Sequence, residues 1–265
     1  MSKAQAIAGN EVLFKQLEQL MWRAGDAIMS IYHSDDFGEQ TKSDASPVTK
    51  ADLAAHNVLV DELARLMPEI PIVSEEDSAS LSIPRSHSIF WLIDPLDGTK
   101  EFIKRNDEFT CNLALIENGE ATLGFVGIPA KSQLFVGGPT LNTYQITEDG
   151  TRLPLSYKRS SEEVTKVVAS KSHLNEATEQ FIAQINGSVE LVQAGSSLKF
   201  LKIATGEADI YPRLAPTCEW DTAAAHAVLS GAGGKVIQTN GEPLRYGKAE
   251  ILNPHFIASG HSVDA

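Results

Sequence analysis

The chain has 265 residues, 42% of them hydrophobic and 22% charged, and a formal net charge of −13. That length can bury a sizeable core in one large domain or two smaller ones, and the acidic balance argues against general binding to nucleic acid, which needs a basic surface. No apolar stretch approaches membrane-spanning length and the N-terminus carries no signal-peptide apolar run; with Cys111 and Cys218 far apart and outside any metal-ligand spacing, a reduced cytoplasmic protein without zinc is expected.

Taken in chain order, Leu13, Leu17, Leu20, Ala24, Ile28 and Ile31 recur at three- and four-residue spacing and predict an amphipathic helix over 11–32. A second helix opens with a capping box at Thr49-Lys50-Ala51-Asp52 and runs to Pro68, after a polar Gly/Ser/Asp-rich loop. Short β-like runs follow at 71–73 and 88–93. The segments 109–117, 120–128 and 132–137 then predict an antiparallel meander with turns at Asn118-Gly119 and Pro129. From about 150 the pattern alternates: strand 164–170, helix 175–186, strand 189–194, helix 197–205, strand 208–211, helix 221–231, strand 235–238. An α+β first half (1–150) and an α/β second half (151–265) are expected, joined near 145–160 without a clear linker.

The chemistry concentrates where the 88–93 run ends, in Asp94-Pro95-Leu96-Asp97-Gly98-Thr99. Proline is expected to stop the strand pairing and preset a turn, so both carboxylates can point into one space; Gly98 permits close backbone approach and Thr99 can start a helix. Glu75 follows another short apolar run, Asp221 stands at a helix start in Glu219-Trp220-Asp221-Thr222, and Asp44 lies in the loop before the second helix. Glu75, Asp94, Asp97 and Asp221 in one cleft would be too repulsive to persist without cations, and hard oxygen ligands select Mg²⁺. Gly195-Ser196-Ser197-Leu198-Lys199 opens a predicted helix and could hold a phosphate through backbone N–H groups, hydroxyls and the Lys199 ammonium, with Arg213 placed for a second phosphate. These are the local cations that an anionic substrate of so acidic a protein requires. A haloacid dehalogenase arrangement, Asp-x-Asp-x-Thr with a nucleophilic first Asp, does not fit the spacing of Asp94 and Asp97. Gly231-Ala232-Gly233-Gly234 reads as a helix C-cap and turn, and His226 and Trp22 read as packed residues.

Together, Glu75, Asp94-Pro-Leu-Asp97-Gly-Thr99 and Trp220-Asp221-x-Ala-Ala resemble the magnesium-dependent, lithium-sensitive phosphatases of the inositol monophosphatase superfamily. Residues 42–52, KSDASPVTKAD, sharpen the resemblance to its 3'(2'),5'-bisphosphate nucleotidase branch. The resemblance implies a layered αβαβα sandwich of the inositol monophosphatase and fructose-1,6-bisphosphatase type. It implies two Mg²⁺ ions, with room for a third near Glu75: Glu75, Asp94 and the Leu96 carbonyl on the first, Asp94, Asp97 and Asp221 on the second. It gives catalytic roles to Glu75, Thr99 and Asp44, the Thr99 hydroxyl orienting the attacking water and Asp44 accepting from Thr99. Substrate contacts fall to Gly98, Thr99, His173, Ser196, Lys199, Arg213 and Asp221. Where the family usually has Gly, this chain has Ala225, which leaves the ligands intact.

The implied reaction is hydrolysis of the 3'-phosphate of adenosine 3',5'-bisphosphate (PAP) to AMP in sulfate assimilation, with PAPS left open as a second substrate. An inositol phosphate or a sugar bisphosphate is the alternative on the same chemistry, and a non-catalytic metal- or nucleotide-binding protein the distant one. The expected partner is a small nucleotide bisphosphate and no nucleic-acid polymer. A monomer or a homodimer, without an integral membrane segment, is expected, and peripheral association with the inner membrane stays open.

Overall fold

The computed structural model describes residues 1–42, 46–83, 89–158, 164–169 and 175–260. The chain opens with α1 (Lys3–Gly9) and α2 (Glu11–Tyr32), then the short strands β1 (Gln40–Thr41) and β2 (Pro47–Val48), and α3 (Lys50–Leu66). A seven-stranded sheet follows in sequence order: β3 (Ile72–Ser74), β4 (Ile89–Asp97), β5 (Thr110–Glu117), β6 (Glu120–Ile128), β7 (Gln133–Gly137), β8 (Tyr144–Ile146) and β9 (Arg152–Pro154). The short helix α4 (Thr99–Ile103) joins β4 to β5. The second half builds β10 (Val164–Ala169), α5 (Glu176–Ala183), β11 (Ser188–Gln193), α6 (Leu198–Ala204), β12 (Ile210–Arg213), α7 (Ala223–Gly231), β13 (Lys235–Gln238) and β14 (Phe256–Ser259). Its five strands form a sheet of order β11-β10-β12-β14-β13.

Both faces of β4 are buried, which is why its sequence reads as an unbroken apolar run rather than an alternating one. Trp91 and Ile93 pack with Leu113, Phe125, and the α2 and α3 residues Leu17, Leu20, Ile28, Leu59 and Leu63. On the other face Phe90 and Leu92 join Leu198 and Phe200 of α6, Ala224 and Val228 of α7, and Tyr211 and Phe256 of the second sheet. A third cluster, Val167, Ile210 and Ile257, lies under Phe181 and Ile182 of α5. The layers are therefore helix, sheet, helix, sheet, helix, an αβαβα sandwich with α6 and α7 in the middle. The middle layer is pressed tight: a Cβ at Gly124 on β6 would lie 2.1 Å from the Ala224 carbonyl oxygen on α7.

The helices and meander fall where periodicity places them, and Thr49 closes the expected capping box with Asp52. Beyond those expectations the structure adds α1, the terminal hairpin β8–β9 and β14. The last is only four residues, too short for periodicity to declare, yet it lies between β12 and β13. The first sheet ends at Pro154 and the second starts at Val164, but α7 packs on β6, so the apolar interior runs through both halves. No helix among the described residues is long and apolar enough to cross a membrane.

Candidate active site

Proline does not end β4. The strand stays paired with β5 through Asp97, and its register shifts between Asp94, opposite Asn112, and Asp97, opposite Thr110. Three steps on β4 against two on β5 make a bulge, which re-aims the side chains at the strand's end. Asp94 is 1% exposed and its Oδ1 accepts the Leu96 N–H at 3.1 Å. Gly98 then takes a left-handed turn at φ 91°, where a Cβ would stand 3.2 Å from the Glu108 carbonyl oxygen; only glycine makes this corner cheaply. Thr99 starts α4.

Two further carboxylates meet Asp94 from other elements. Strand β3 runs parallel to β4, and the Glu75 N–H just beyond it donates to the Ile93 carbonyl at 3.1 Å, which sets Glu75 beside Asp94. Asp221 precedes α7, its Oδ2 accepting the Cys218 N–H at 2.8 Å. Glu75, Asp94 and Asp221 each bring a carboxylate oxygen within 4.8 Å of the others. Burial, and then the charges of Glu75, Asp97 and Asp221, pushes Asp94 well above the ordinary carboxylate range. Burial and Asp97 raise Asp221 to about 8. Burial also raises Glu75, against the opposing pull of Lys42. An all-oxygen donor set whose charged forms are disfavoured by burial and mutual repulsion is the set that a hard divalent cation relieves. The residues present fit such an ion.

Lys42 reaches this cluster, its Nζ 2.8 Å from Glu75 Oε1 and 2.6 Å from Glu76 Oε1. Burial would lower the Lys42 ammonium, but the two carboxylates outweigh it and hold it above its usual range. Burial raises Glu76 to about 7 against its hydrogen bond from Lys42.

Asp44 lies outside the described residues, and so does the expected Asp44–Thr99 pairing; among the described residues Thr99 has another carboxylate partner. The Thr99 hydroxyl is 3.1 Å from Asp52 Oδ1 and 3.3 Å from the Leu96 carbonyl oxygen. Asp52, 1% exposed, is oriented by its capping role: its Oδ2 accepts from Thr49 N at 2.7 Å and Thr49 Oγ1 at 2.6 Å, leaving Oδ1 for Thr99. Burial raises its carboxyl against those hydrogen bonds. The sequence marked Asp52 as a helix cap only; its second partner comes from 47 residues away, which no local pattern reveals.

Beside the carboxylates opens a cleft of ≈ 360 Å³ lined by Asp97, Gly98, Ser196, Lys199, Arg213 and Asp221, together with Lys100 and Lys104. Lys100 on α4 and Lys104 at its C-cap are one turn apart, a spacing visible in the sequence. Lys199 is buried beneath the Ser196 carbonyl, to which it donates at 2.7 Å, and burial lowers it to about 8. Arg213 donates to the Pro216 carbonyl at 2.6 Å, while its Nε is buried with no partner among the described residues. The serine hydroxyls expected to face a phosphate are otherwise engaged. Ser196 Oγ lies 2.7 Å and Ser197 Oγ 3.1 Å from Asp97 Oδ2. His173 lies outside the described residues. His226 stays a packed residue, its Nδ1 2.8 Å from the Tyr246 hydroxyl and lowered to about 4 by burial.

The inositol monophosphatase family model matches residues 10–262. The chain is 41% identical over 249 residues to the 3'(2'),5'-bisphosphate nucleotidase CysQ of Escherichia coli strain K12, covering 93% of this chain and 99% of that protein. It is 39% identical over 257 residues to the Buchnera aphidicola protein of the same name, covering 94% and 96%. The crystal structure of CysQ from Bacteroides thetaiotaomicron superposes with a TM-score of 0.80 at 39% identity, covering 92% of this chain and 95% of that one. Staphylococcal IMPase-II shares the fold, with a TM-score of 0.77 at 21% identity over 95% and 90% of the two chains.

Proposed function

Because the chain belongs to the inositol monophosphatase family, we propose that it is a 3'(2'),5'-bisphosphate nucleotidase that hydrolyses the 3'-phosphate of PAP to give AMP and phosphate. The observation that carries this reading is the meeting of Glu75, Asp94 and Asp221, the last of which lines a cleft that also holds Lys100, Lys104, Lys199 and Arg213. Carboxylates gather the metal; ammonium and guanidinium groups receive a substrate with two phosphates.

Glu75, Asp94, Asp97, Asp221 and the Leu96 carbonyl would hold Mg²⁺, as two ions with space for a third near Glu75. When bound, divalent cations polarise the attacking water and neutralise charge on the transferring phosphoryl group. The protein's own part is positioning. Thr99 is placed by Asp52: with Asp52 Oδ1 accepting its proton, the Thr99 oxygen offers a lone pair to orient or deprotonate water for in-line attack on phosphorus. Gly98 and Thr99 bring backbone N–H groups to the same end of the cleft. Lys199 and Arg213 come from the second half of the chain and line the same cleft as Asp97 and Gly98 of the first. The halves thus divide the work, with Asp221 the metal ligand contributed by 151–265. PAPS presents the same 3'-phosphate and is accommodated by the same chemistry.

The test is phosphate release from PAP and from myo-inositol 1-phosphate at equal concentration, with and without Mg²⁺. Mg²⁺-dependent release with strong preference for PAP is expected. Preference for inositol phosphate would keep the metal chemistry and overturn the substrate, and no release from either would overturn the enzyme.

A further inference from the structure

The loop Gly195-Ser196-Ser197 belongs to the second half of the chain, yet its two hydroxyls converge on one oxygen of a first-half residue, Asp97 Oδ2, at 2.7 and 3.1 Å. Each serine is itself held from β5. Ser196 Oγ is 2.6 Å from Thr110 Oγ1, and Ser197 Oγ accepts from Asn112 Nδ2 at 3.1 Å. Thr110 and Asn112 are the residues that face Asp97 and Asp94 across the β4–β5 ladder. So the strand that pairs with the carboxylates also aims the hydroxyls that bind one of them.

A hydroxyl has one proton to give. An ionised carboxylate only accepts, so Ser196 gives its proton to Asp97 and takes that of Thr110. Ser197, already accepting from Asn112, places its proton between two acceptors: Asp97 Oδ2 and, at 2.9 Å, the Asp221 backbone carbonyl. Both belong to carboxylate residues of the metal cluster, one from each sheet's half of the chain. Ser196 holds a left-handed backbone at φ 49°, a conformation uncommon for a residue other than glycine. Ser197 is 1% exposed, out of reach of a phosphate in the cleft. Among the described residues Asp97 Oδ1 takes no hydrogen bond.

We propose that Ser196 and Ser197 are positioning residues of the metal site. They occupy Oδ2 of Asp97 so that Asp97 offers Oδ1 alone to a divalent cation, and Ser197, oriented by Asn112, sets the separation between Asp97 and Asp221. The inference rests on reading those carboxylates as cation ligands, and it takes the serine hydroxyls out of the substrate-contacting set.

The experiment is calorimetric titration of the metal-stripped protein with Mn²⁺, without substrate, alongside KM for PAP at saturating metal. Ser196→Ala and Ser197→Ala are each expected to weaken Mn²⁺ binding about tenfold, as loss of a group that orients a metal ligand does, with KM for PAP at saturating metal unchanged. Thr110→Val keeps the shape of the side chain and acts only through Ser196; it is expected to weaken Mn²⁺ binding by a smaller factor, and it decides the matter for Ser196 should an alanine variant not fold. Mn²⁺ affinity equal to wild type in the folded variants, with KM for PAP raised instead, makes the serines substrate contacts and overturns the proposal. Failure of the wild-type protein to bind Mn²⁺ overturns the underlying reading of the carboxylates as well, so the two failures are distinct.

Discussion

At one end of the β4–β5 pair, opposite Ile89, Glu117 is buried with its carboxylate fully engaged: it accepts from Lys3 N at 2.6 Å, Ala4 N at 3.0 Å and Thr122 Oγ1 at 2.6 Å. At the other end Asp94 is just as buried but faces Glu75, Asp97 and Asp221. Glu219 follows the first pattern, with Gly247 N at 2.8 Å, Lys248 N at 3.1 Å and the Lys248 ammonium around it. A buried acid supplied with donors is a structural joint, here fastening α1 to the sheet. Buried acids supplied mostly with one another are a vacancy for positive charge, and the fold carries their repulsion until a cation relieves it.

The sharpest way to break this comparison is to neutralise one acid at each end. Asp94→Asn is expected to lower kcat for PAP on the order of 10³-fold, the scale of removing a preorganised electrostatic element, and to shrink the rise in Tm on adding Mg²⁺. The metal-free variant should be no less stable than wild type, because the amide removes repulsion. A metal-free Asp94→Asn protein that is much less stable would make Asp94 a joint like Glu117.

Next in size is Asp52. Asp52→Asn and Thr99→Ala are each expected to cost about 10²-fold in kcat, the range for a positioned proton-transfer group, and the double variant should be little worse than either, since the two act as a unit. Multiplying losses would separate Asp52 from Thr99 and leave it a helix cap.

The contrast also explains what could be read from the sequence. The strand ends carrying Glu75, Asp94 and Asp97 were legible because an apolar run that stops at carboxylates is a local pattern, and α3 was legible from its cap and its periodicity. The Asp52–Thr99 contact was not, because Asp52 already had a sufficient local explanation in the capping box. The bond of Ser196 to Asp97 spans 99 residues, so its serines read as a phosphate loop until the second half was folded against the first. Glu117 carried no signal at all: it reads as the last residue of a strand before the Asn118-Gly119 turn, and its partners are the first residues of α1.

At the structural end, Glu117→Gln is expected to lower stability by about 2 kcal/mol, since an amide NH₂ would face an N–H or a hydroxyl donor in a buried position. In thermal unfolding that is a fall of roughly 5 °C in Tm. Activity at saturating Mg²⁺ should stay at the wild-type level. Loss of activity at unchanged Tm would join the two ends into one functional unit.

The smallest effect is one of pH, and its sign distinguishes the two kinds of site. In the metal-free protein Asp221 is raised from 3.8 to about 8 by burial and Asp97, Glu76 from 4.5 to about 7 by burial, and Glu75 and Asp94 in the same direction. An acid that holds its proton more tightly folded than unfolded contributes stability that is complete below its unfolded value and lost as pH rises through its folded value. Metal-free Tm should therefore fall from about pH 4 to about pH 8. A cation binds the deprotonated cluster, so the Tm gained on adding Mg²⁺ should grow across the same interval and flatten the profile. Thermal unfolding in EDTA and in Mg²⁺ at several pH values reads both slopes. A metal-free Tm that rises with pH over this interval would mean that the cluster's carboxylates are held by donors as Glu117 is, and the distinction between the two ends of the sheet would fail.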